Sequence, residues 1–468
     1  MAGVALKTRK PRAKSDPGLL AHLYRRAGFG ATRDQLERLA AKEYSEVVDF
    51  LLNPTPEASG VSEDEIARYM GGESATAYLA TWLYRMINSE CQLQEKIALF
   101  WHYVFATGLS KNEHILSASN QIDMFRHNGL GDMRAILMDI SRDPAMIFWL
   151  DNNENHKGEP NENYGRELLE LFSMGVGNYT ENDIKNAARA FTGWTFAQPP
   201  PLYPQGYYPA QFRFIPEDHD YGKKTFLGQT GNFDGGDIVD IIVRQPACAR
   251  FVSRHLYNFF VADEPQVPSW NDVPPQDPKL IDAMSRAFLD SGGQIREVLR
   301  VMFNSDSFKS ARFKKVKSPT ELVAGVLKMV GSYDDFRPGL AKYVETTTVA
   351  MGQKLLDPPT VEGWHTGREW IDGGNLTERV NFAVEEIGDG SVPGIRRIVD
   401  RLTTGGAAVS EPSALVDATL DLIGPIDVDP STREALVKFA IDSQKDEPRA
   451  RIVRLLRLIV ATPDYQLA

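Results

Sequence analysis

The sequence is poor in cysteine and lacks long apolar segments, and each shortage excludes a class of protein. Its two cysteines, Cys91 and Cys248, can form neither a disulfide framework nor a zinc site made of thiolates. No segment reaches the run of about 18 apolar residues that a membrane-spanning helix needs. An excess of basic residues is missing as well, because the net charge is −11. A dedicated nucleic-acid-binding protein would carry a basic domain or stripe, so we expect no nucleic-acid partner.

Several catalytic motifs are also absent. The sequence contains no Gly-x-x-x-x-Gly-Lys-Ser/Thr phosphate loop, no Gly-x-Gly-x-x-Gly dinucleotide loop, no Gly-x-Ser-x-Gly nucleophile elbow and no His-Glu-x-x-His zinc motif. Nucleotide-dependent enzymes, serine hydrolases of the elbow type and zinc proteases are therefore not leading interpretations.

Residues 1–16 predict a disordered basic arm. Five lysine and arginine residues lie there, and no acidic residue precedes Asp16. A signal peptide would need an apolar stretch of about 7–15 residues after such a region, whereas this arm leads into a polar helix. From the missing signal peptide alone, we expect a cytoplasmic protein.

Helical periodicity dominates the rest of the chain, so the predicted fold class is all-α. We expect a large, bundle-like helical body with minor β-structure. A single domain is predicted over 17–468, with helical halves at 17–196 and 237–468. Between them lies an irregular insert, 197–236, which is rich in Pro, Gly and Tyr. An irregular segment of this length is typically functional or an inserted subdomain.

Local patterns define several of the expected elements. The pairs Thr32/Gln35 and Thr180/Asp183 have the spacing of capping boxes at helix starts. Periodicity predicts a helix over 131–150 and helices through 318–351, among others. A second irregular segment, from Gln353 to Asn375, contains adjacent prolines and two tryptophans.

The predicted helix Leu93–Ala106 is apolar nearly all round, which is typical of a buried helix. Glu95 and His102 lie on the same face of it. Because an unpaired buried charge costs several kcal/mol, both side chains must be paired or ligated. We interpret them either as a carboxylate–imidazole pair for acid–base or metal chemistry, or as a structural hydrogen bond between helices.

The helix predicted over 161–174 presents a second polar face. Asn163, Glu167 and Glu170 line up on it, with Arg166 at its edge. Two carboxylates at i, i+3 beside an amide and a guanidinium can bind a metal ion in a helical bundle or transfer protons. The alternative is a solvated helix start, with a routine Arg166–Glu170 ion pair.

The two irregular segments add three candidates. His219 lies among Glu217, Asp218 and Asp220, whose charges would favour the imidazolium form. Lys224 follows a glycine and can present an anion site, although a solvated turn is the alternative. Trp364, in the second segment, either stacks on a substrate ring or fixes the segment to the core.

Taken together and in this order, these segments resemble a large bacterial family known as domain of unknown function 1800. The resemblance spans about residues 22–467 and implies no established reaction. It implies export through twin-arginine or Sec signals, which conflicts with the cytoplasmic expectation, and a sulfatase-like partner protein. The matching segments include His22–Gly30, Glu95–Thr107, Asn161–Phe172, Thr192–Trp194, His219–Gly228, Ser318–Pro319, Gly352–Gln353, Pro358–Trp364 and Ala461–Gln466.

Our leading hypothesis is an enzyme with a carboxylate and histidine site in the helical bundle, covered by the first insert. A divalent metal ion held by Glu167, Glu170 and His102 would activate water or dioxygen, or the same residues would perform acid–base chemistry on a saccharide or ester. The alternative is a non-catalytic binding or assembly protein of cell-envelope or polysaccharide-related systems, in which the polar residues form a hydrogen-bonded network. The predicted catalytic residues are Glu95, His102, Glu167, Glu170 and His219. The predicted binding residues for a small molecule or saccharide are Asn163, Arg166, Lys224 and Trp364.

Overall fold

The computed structural model describes residues 14–72, 74–112, 114–197, 210–404 and 411–468. Helices make up 63% of the structure, which confirms the predicted all-α class. Most of the predicted basic arm, residues 1–13, and positions 198–209 of the first insert lie outside the described residues. Within the described ranges, no helix is both long and apolar enough to cross a membrane.

Twelve helices of the described residues precede the first insert. They are α1 (Pro17–Ala27), α2 (Arg33–Leu39), α3 (Tyr44–Leu52), α4 (Glu63–Tyr69), α5 (Ala75–Asn88), α6 (Gln92–Val104), α7 (Leu109–Asn112), α8 (Ile115–Asn128), α9 (Met133–Arg142), α10 (Pro144–Trp149), α11 (Asn163–Glu170) and α12 (Glu181–Ala190).

Twelve more described helices follow it. They are α13 (Gly235–Val243), α14 (Pro246–Phe260), α15 (Pro278–Asp290), α16 (Ile295–Asn304), α17 (Asp306–Ser310), α18 (Pro319–Val330), α19 (Thr348–Ala350), α20 (Gly373–Gly388), α21 (Pro393–Thr404), α22 (Pro412–Leu422), α23 (Pro430–Asp442) and α24 (Pro448–Val460).

Helix α6 lies at the centre of the N-terminal half and packs against α1, α3, α5 and α8. All of its residues except Gln94 are buried, as its apolar circumference predicts. The capping boxes at Thr32/Gln35 and Thr180/Asp183 are both formed, and they start α2 and α12.

Two of the predicted helical stretches are interrupted where the backbone chemistry requires it. The stretch 131–150 divides into α9 and α10 because Pro144 cannot continue a helix, and Asp143 caps the second helix instead. Helix α18 ends at Val330, because Gly331 adopts a left-handed conformation with φ of +66°.

The first insert forms two small antiparallel sheets. Strand β1 (Trp194–Ala197) pairs with β2 (Gln211–Phe214), and Trp194 lies opposite Phe214. Strand β3 (Lys224–Phe226) pairs with β4 (Gln229–Gly231), and this hairpin packs against α12.

The second irregular segment is fixed to the helical body at both sides of Leu356. The side chain of Gln353 accepts hydrogen bonds from the backbone and hydroxyl of Thr320 at the start of α18. Leu356 has a φ of +62°, a strained value for a residue with a branched side chain. Its carbonyl oxygen accepts a hydrogen bond from the backbone of Leu109, so contacts on both sides hold this conformation.

Candidate functional site

Helix α11 carries two carboxylates on one half-buried face. Glu167 and Glu170 lie one turn apart, which places their β-carbons about 5–6 Å apart. The opposite face packs on α12 through Gly165, where a β-carbon would lie 3.0 Å from the backbone nitrogen of Ala188. This close approach leaves the carboxylate face as the outward side of α11.

The carboxyl group of Glu167 makes no hydrogen bond or ion pair with any described residue. Burial and the negative charges of Glu170 and Glu362, against the opposing effect of Arg166, together raise the pKa of Glu167 to about 7. A carboxylic acid with a pKa near neutrality, placed among other carboxylates, is typical of proton-transfer sites.

Glu170 differs from Glu167 because it has a partner. The hydroxyl group of Tyr179 donates a hydrogen bond to its Oε2 over 3.3 Å. Burial and the negative charge of Glu170 raise the pKa of the Tyr179 hydroxyl, so this phenol stays a hydrogen-bond donor. The hydrogen bond from Tyr179 therefore fixes the carboxylate of Glu170, whereas the carboxyl group of Glu167 has no partner among the described residues.

The second irregular segment supplies the third carboxylate, Glu362, which is exposed. The next residue, Gly363, packs so closely on α6 that a β-carbon would lie 2.7 Å from the carbonyl oxygen of Tyr103. The Tyr103 hydroxyl also hydrogen-bonds to Thr366 in the same segment. Glu362 is thus held near the carboxylates of α11 by packing on the C-terminal end of α6.

Glu95 lies in a buried ion pair rather than beside His102. Both of its oxygens accept hydrogen bonds from Nε of Arg126 in α8, at 3.0 and 2.9 Å, and both side chains are buried. Arg126 also pairs with Asp123. The polar atoms of Glu95 are therefore used to join α6 to α8.

His102 binds the second irregular segment. Its Nε2 accepts a hydrogen bond from the backbone nitrogen of Leu356 over 3.0 Å, so the proton of the neutral ring resides on Nδ1. The ring packs edge-on against Trp82 and Trp364, at centroid distances of 6.1 and 5.2 Å. Burial lowers the pKa of His102 to about 3, which keeps the ring uncharged at neutral pH.

These contacts do not assemble the expected metal site. The lone pair of His102 Nε2 is already engaged by a backbone amide, so this nitrogen is not free to ligate. Among the residues that the structure describes, no group of three or more His, Cys, Asp or Glu side chains is arranged to hold a metal ion. The donor set Glu167, Glu170 and His102 therefore does not fit a divalent metal.

His219 joins the first insert to the residues that follow α12, and Lys224 makes hydrogen bonds within the insert. His219 donates from Nδ1 to the carbonyl oxygen of Thr192 over 2.9 Å, and its ring packs on Phe214 and Tyr221. The Lys224 ammonium group donates to the carbonyl oxygens of Asp220 and Gly222. No described contact joins either side chain to Glu167.

The acidic neighbours of His219 bind elsewhere. Asp218 accepts hydrogen bonds from the imidazole of His156 and the backbone of Lys157, and Asp220 pairs with Arg189. Asp218 and Asp220 therefore do not pair with His219 as expected, because each of these two carboxylates has a different partner.

The residues predicted to bind a small molecule also lie in separate environments and have different partners. Asn163 is exposed at the start of α11, whereas Arg166 pairs with Glu162 and Glu181 instead of Glu170. Trp364 is only 3% exposed, so it fixes the segment to the core and offers no ring face for stacking. Arg166 is close enough to act on the charge of Glu167, but its ion pairs are with Glu162 and Glu181.

His255 in α14 is a buried histidine that the sequence analysis did not select. Both of its ring nitrogens are buried without a hydrogen-bond partner among the described residues. Phe251 and Trp270 enclose the ring at centroid distances of 4.6 Å each, and Tyr103 lies at 6.5 Å. His255 belongs to no spacing pattern in the sequence, so its contacts could not be predicted.

Comparison with known proteins identifies a family for the chain, but it does not identify an activity. The family model described as "Protein of unknown function (DUF1800)" matches residues 22–467. No curated protein and no solved structure shows significant similarity to the chain.

Proposed function

The chain belongs to the DUF1800 family of proteins of unknown function, and we propose that it is an acid–base enzyme in which Glu167 and Glu170 transfer protons. The observation that carries this proposal is the state of Glu167. Its carboxyl group is half-buried, has no partner among the described residues and has a pKa of about 7. A residue with such a pKa can both donate and accept a proton near neutral pH.

The contrast with the other candidates supports the choice of these two residues. A structural network requires every buried polar group to be hydrogen-bonded, and Glu95, His219 and Lys224 meet that requirement. Glu167, which is half-buried, makes no hydrogen bond with a described residue. We therefore restrict the proposed catalytic residues to Glu167 and Glu170, with Tyr179 as the residue that positions Glu170.

The charge of the site favours an uncharged substrate. Glu167, Glu170 and Glu362 are near one another, and the nearby Arg166 is bound to Glu162 and Glu181. An anionic substrate would be repelled by these carboxylates, whereas a neutral, hydroxyl-rich molecule such as a saccharide can hydrogen-bond to them.

The reaction that fits two carboxyl groups is hydrolysis of a glycosidic or ester bond. Glu167, in its protonated form, donates a proton to the departing oxygen as the bond to that oxygen breaks. Glu170 accepts a proton from the water molecule whose oxygen forms the new bond. The proton count balances, because one carboxyl group gains what the other loses and solvent exchange restores both.

Chemical labelling tests the protonation state without a known substrate. Diazo reagents esterify carboxylic acids in their protonated form, and peptide mass spectrometry locates the ester. At pH 7 a carboxyl group with a pKa of about 7 is half protonated, roughly a hundredfold more than an ordinary glutamate. We expect Glu167 to be labelled far more than Glu181, the exposed control residue on α12, and equal labelling would contradict the proposal.

Activity then tests the role. Neutral chromogenic glycosides and esters should be hydrolysed by the wild-type protein and by Glu181→Gln. Glu167→Gln should lose about 100-fold or more of that activity, because the general acid is gone. Hydrolysis that survives unchanged in Glu167→Gln would assign the activity to another site.

Glu167→Gln should also stabilise the protein at alkaline pH and have little effect at acidic pH. The folded protein keeps the Glu167 proton up to about pH 7, whereas the unfolded chain loses it near 4.5, the ordinary pKa of a glutamate. The resulting destabilisation of the wild type accumulates between these pH values and is complete above pH 7. Allowing for solvent screening of this half-buried group, we expect a gain of about 1–2 kcal/mol at pH 8.

Urea unfolding followed by tryptophan fluorescence at pH 4.5 and pH 8 measures this difference. Glu181→Gln is the matched control, because Arg166 lowers the pKa of Glu181 and its substitution should bring no gain at pH 8. An equal gain from Glu167→Gln at both pH values would mean that the stabilisation does not come from the ionisation of Glu167.

A further inference from the structure

A cavity of about 110 Å³ is lined by residues of α1, α18 and α21 and by the segment after α22. Three of the segments that carry the family resemblance meet there. They contribute Arg25 and Phe29 from the first segment, Glu321 beside Ser318–Pro319, and Tyr465 from the last. None of these residues belongs to the proposed acid–base site.

Three cations of the cavity wall form no ion pair with a carboxylate of the described residues. One of them, Lys328, donates to the carbonyl oxygen of Ile87, and the other two are Arg25 and Lys317. Arg25 donates from Nη1 to the carbonyl oxygens of Gly424 and Pro425, at 2.7 and 3.3 Å, while its Nε and Nη2 are buried without an acceptor. Lys317 donates only to the carbonyl oxygen of Tyr465, at 2.6 Å. Carbonyl oxygens satisfy hydrogen bonds, but they do not neutralise these charges.

More uncompensated cations lie behind this wall. Arg26 and Arg379 are fully buried, and their guanidinium groups bind backbone carbonyls and the side-chain oxygen of Gln466. Burial and the positive charges of Arg25, Arg379 and Arg26 lower the pKa of Lys317 to about 7. The neighbourhood therefore holds more positive charge than the folded protein accommodates without cost.

The nearby acids are already engaged. Glu321 lies in the wall, but it forms a buried ion pair with Lys96 and accepts a hydrogen bond from the backbone of Ser318. Asp34, at the edge of the cavity, pairs with Arg401. No free carboxylate of the described cavity wall would therefore compete with an additional anion for Arg25 and Lys317.

Part of the wall is apolar and can accommodate an apolar group of a ligand. Side chains of α18 and α21 and of the segment after α22 line it, among them Leu322, Val326, Ile398 and Ile423. A dry cavity of about 150 Å³ can hold a benzene molecule. A cavity of about 110 Å³ therefore holds an apolar group somewhat smaller than that.

We propose that this cavity binds a short-chain organic carboxylate, with the carboxylate group at Arg25 and Lys317 and the apolar group against Leu322, Val326 and Ile398. The carboxylate would supply the counter-charge that both cations lack, and charge-assisted hydrogen bonds of this kind are about twice as strong as neutral ones. The burial of the apolar group would add the hydrophobic contribution. This binding site is independent of the proposed acid–base function.

Thermal unfolding with matched ligands tests the proposal. At about 10 mM, 3-methylbutanoate should raise the melting temperature of the full chain in a dose-dependent way, because a ligand that binds only the folded state stabilises it. Its neutral analogue 3-methylbutanamide should have little effect. Sodium sulfate at the same ionic strength controls for general anion effects.

Three variants locate the binding site. Lys317→Met keeps the apolar stem, removes an uncompensated charge and should fold, and its affinity for 3-methylbutanoate should fall about 10-fold or more. Ile423→Trp should fill the cavity and abolish binding. Lys314→Met, an exposed lysine three residues earlier, should bind like the wild type.

Four results would overturn the proposal. They are a melting temperature that no carboxylate raises, an amide that binds as well as the carboxylate, sulfate that reproduces the full effect, and unchanged binding in both Lys317→Met and Ile423→Trp. The first would mean that the cavity takes no such ligand, and the second that it does not recognise charge. The third would reduce the effect to nonspecific anion binding, and the fourth would place the ligand elsewhere.

Discussion

Glu95→Ala should destabilise the protein by about 3–5 kcal/mol, because it leaves the guanidinium group of Arg126 buried without its main counter-charge. Both side chains are less than 10% exposed, so water cannot replace the lost carboxylate. Asp123 also pairs with Arg126, but this carboxylate is largely exposed and compensates only in part. Urea unfolding at pH 7 measures the loss.

A double variant separates the ion pair from simple loss of packing. Glu95→Leu combined with Arg126→Leu removes both charges and fills the space with apolar atoms, so it should recover most of the stability lost in Glu95→Ala. A Glu95→Ala protein that is within about 1 kcal/mol of the wild type would contradict the structural role of this pair and return Glu95 to the catalytic candidates.

His102→Ala should cost about 3–4 kcal/mol and loosen the second irregular segment. The substitution opens a cavity between Trp82 and Trp364, and it leaves the backbone N–H of Leu356 buried without an acceptor. Since Leu356 is held in a left-handed conformation, the loss of this hydrogen bond should make the backbone of the whole segment more mobile. Hydrogen exchange of residues 353–371, together with urea unfolding, measures both effects.

His102→Gln is the matched control for that prediction. A glutamine oxygen can take the place of Nε2 and accept the hydrogen bond from Leu356, so this variant should restore slow exchange in the segment and part of the stability. Exchange in 353–371 that stays slow in His102→Ala would show that other contacts, such as those of Gln353, hold the segment alone.

The sequence predicted what depends on neighbours along the chain. The apolar circumference of residues 93–106 correctly indicated a buried helix, and the capping boxes at Thr32 and Thr180 mark true helix starts. Within one helix the spacing also placed Glu167 and Glu170 on one face. These inferences succeed because a helix fixes the relative directions of its own side chains.

Partners from distant segments could not be predicted in this way. His102 binds a backbone amide 254 positions later, and Glu95 binds an arginine on α8 instead of the histidine on its own helix. Glu362 stood within a motif of the second segment, but no periodic pattern relates that irregular backbone to α11. Periodicity says which face of a helix is turned inwards, and it does not say which other element packs there.

The wall of the cationic cavity has a consequence for the order in which the protein folds. Arg25 binds the carbonyl oxygen of Gly424, 399 positions away, and Tyr465 closes the same wall from still farther along the chain. Contacts of such high sequence separation require the closure of very long loops, which slows folding and postpones them to its late stages. During synthesis, the cations of the N-terminal wall therefore remain in water until Gly424 and Tyr465 have been translated.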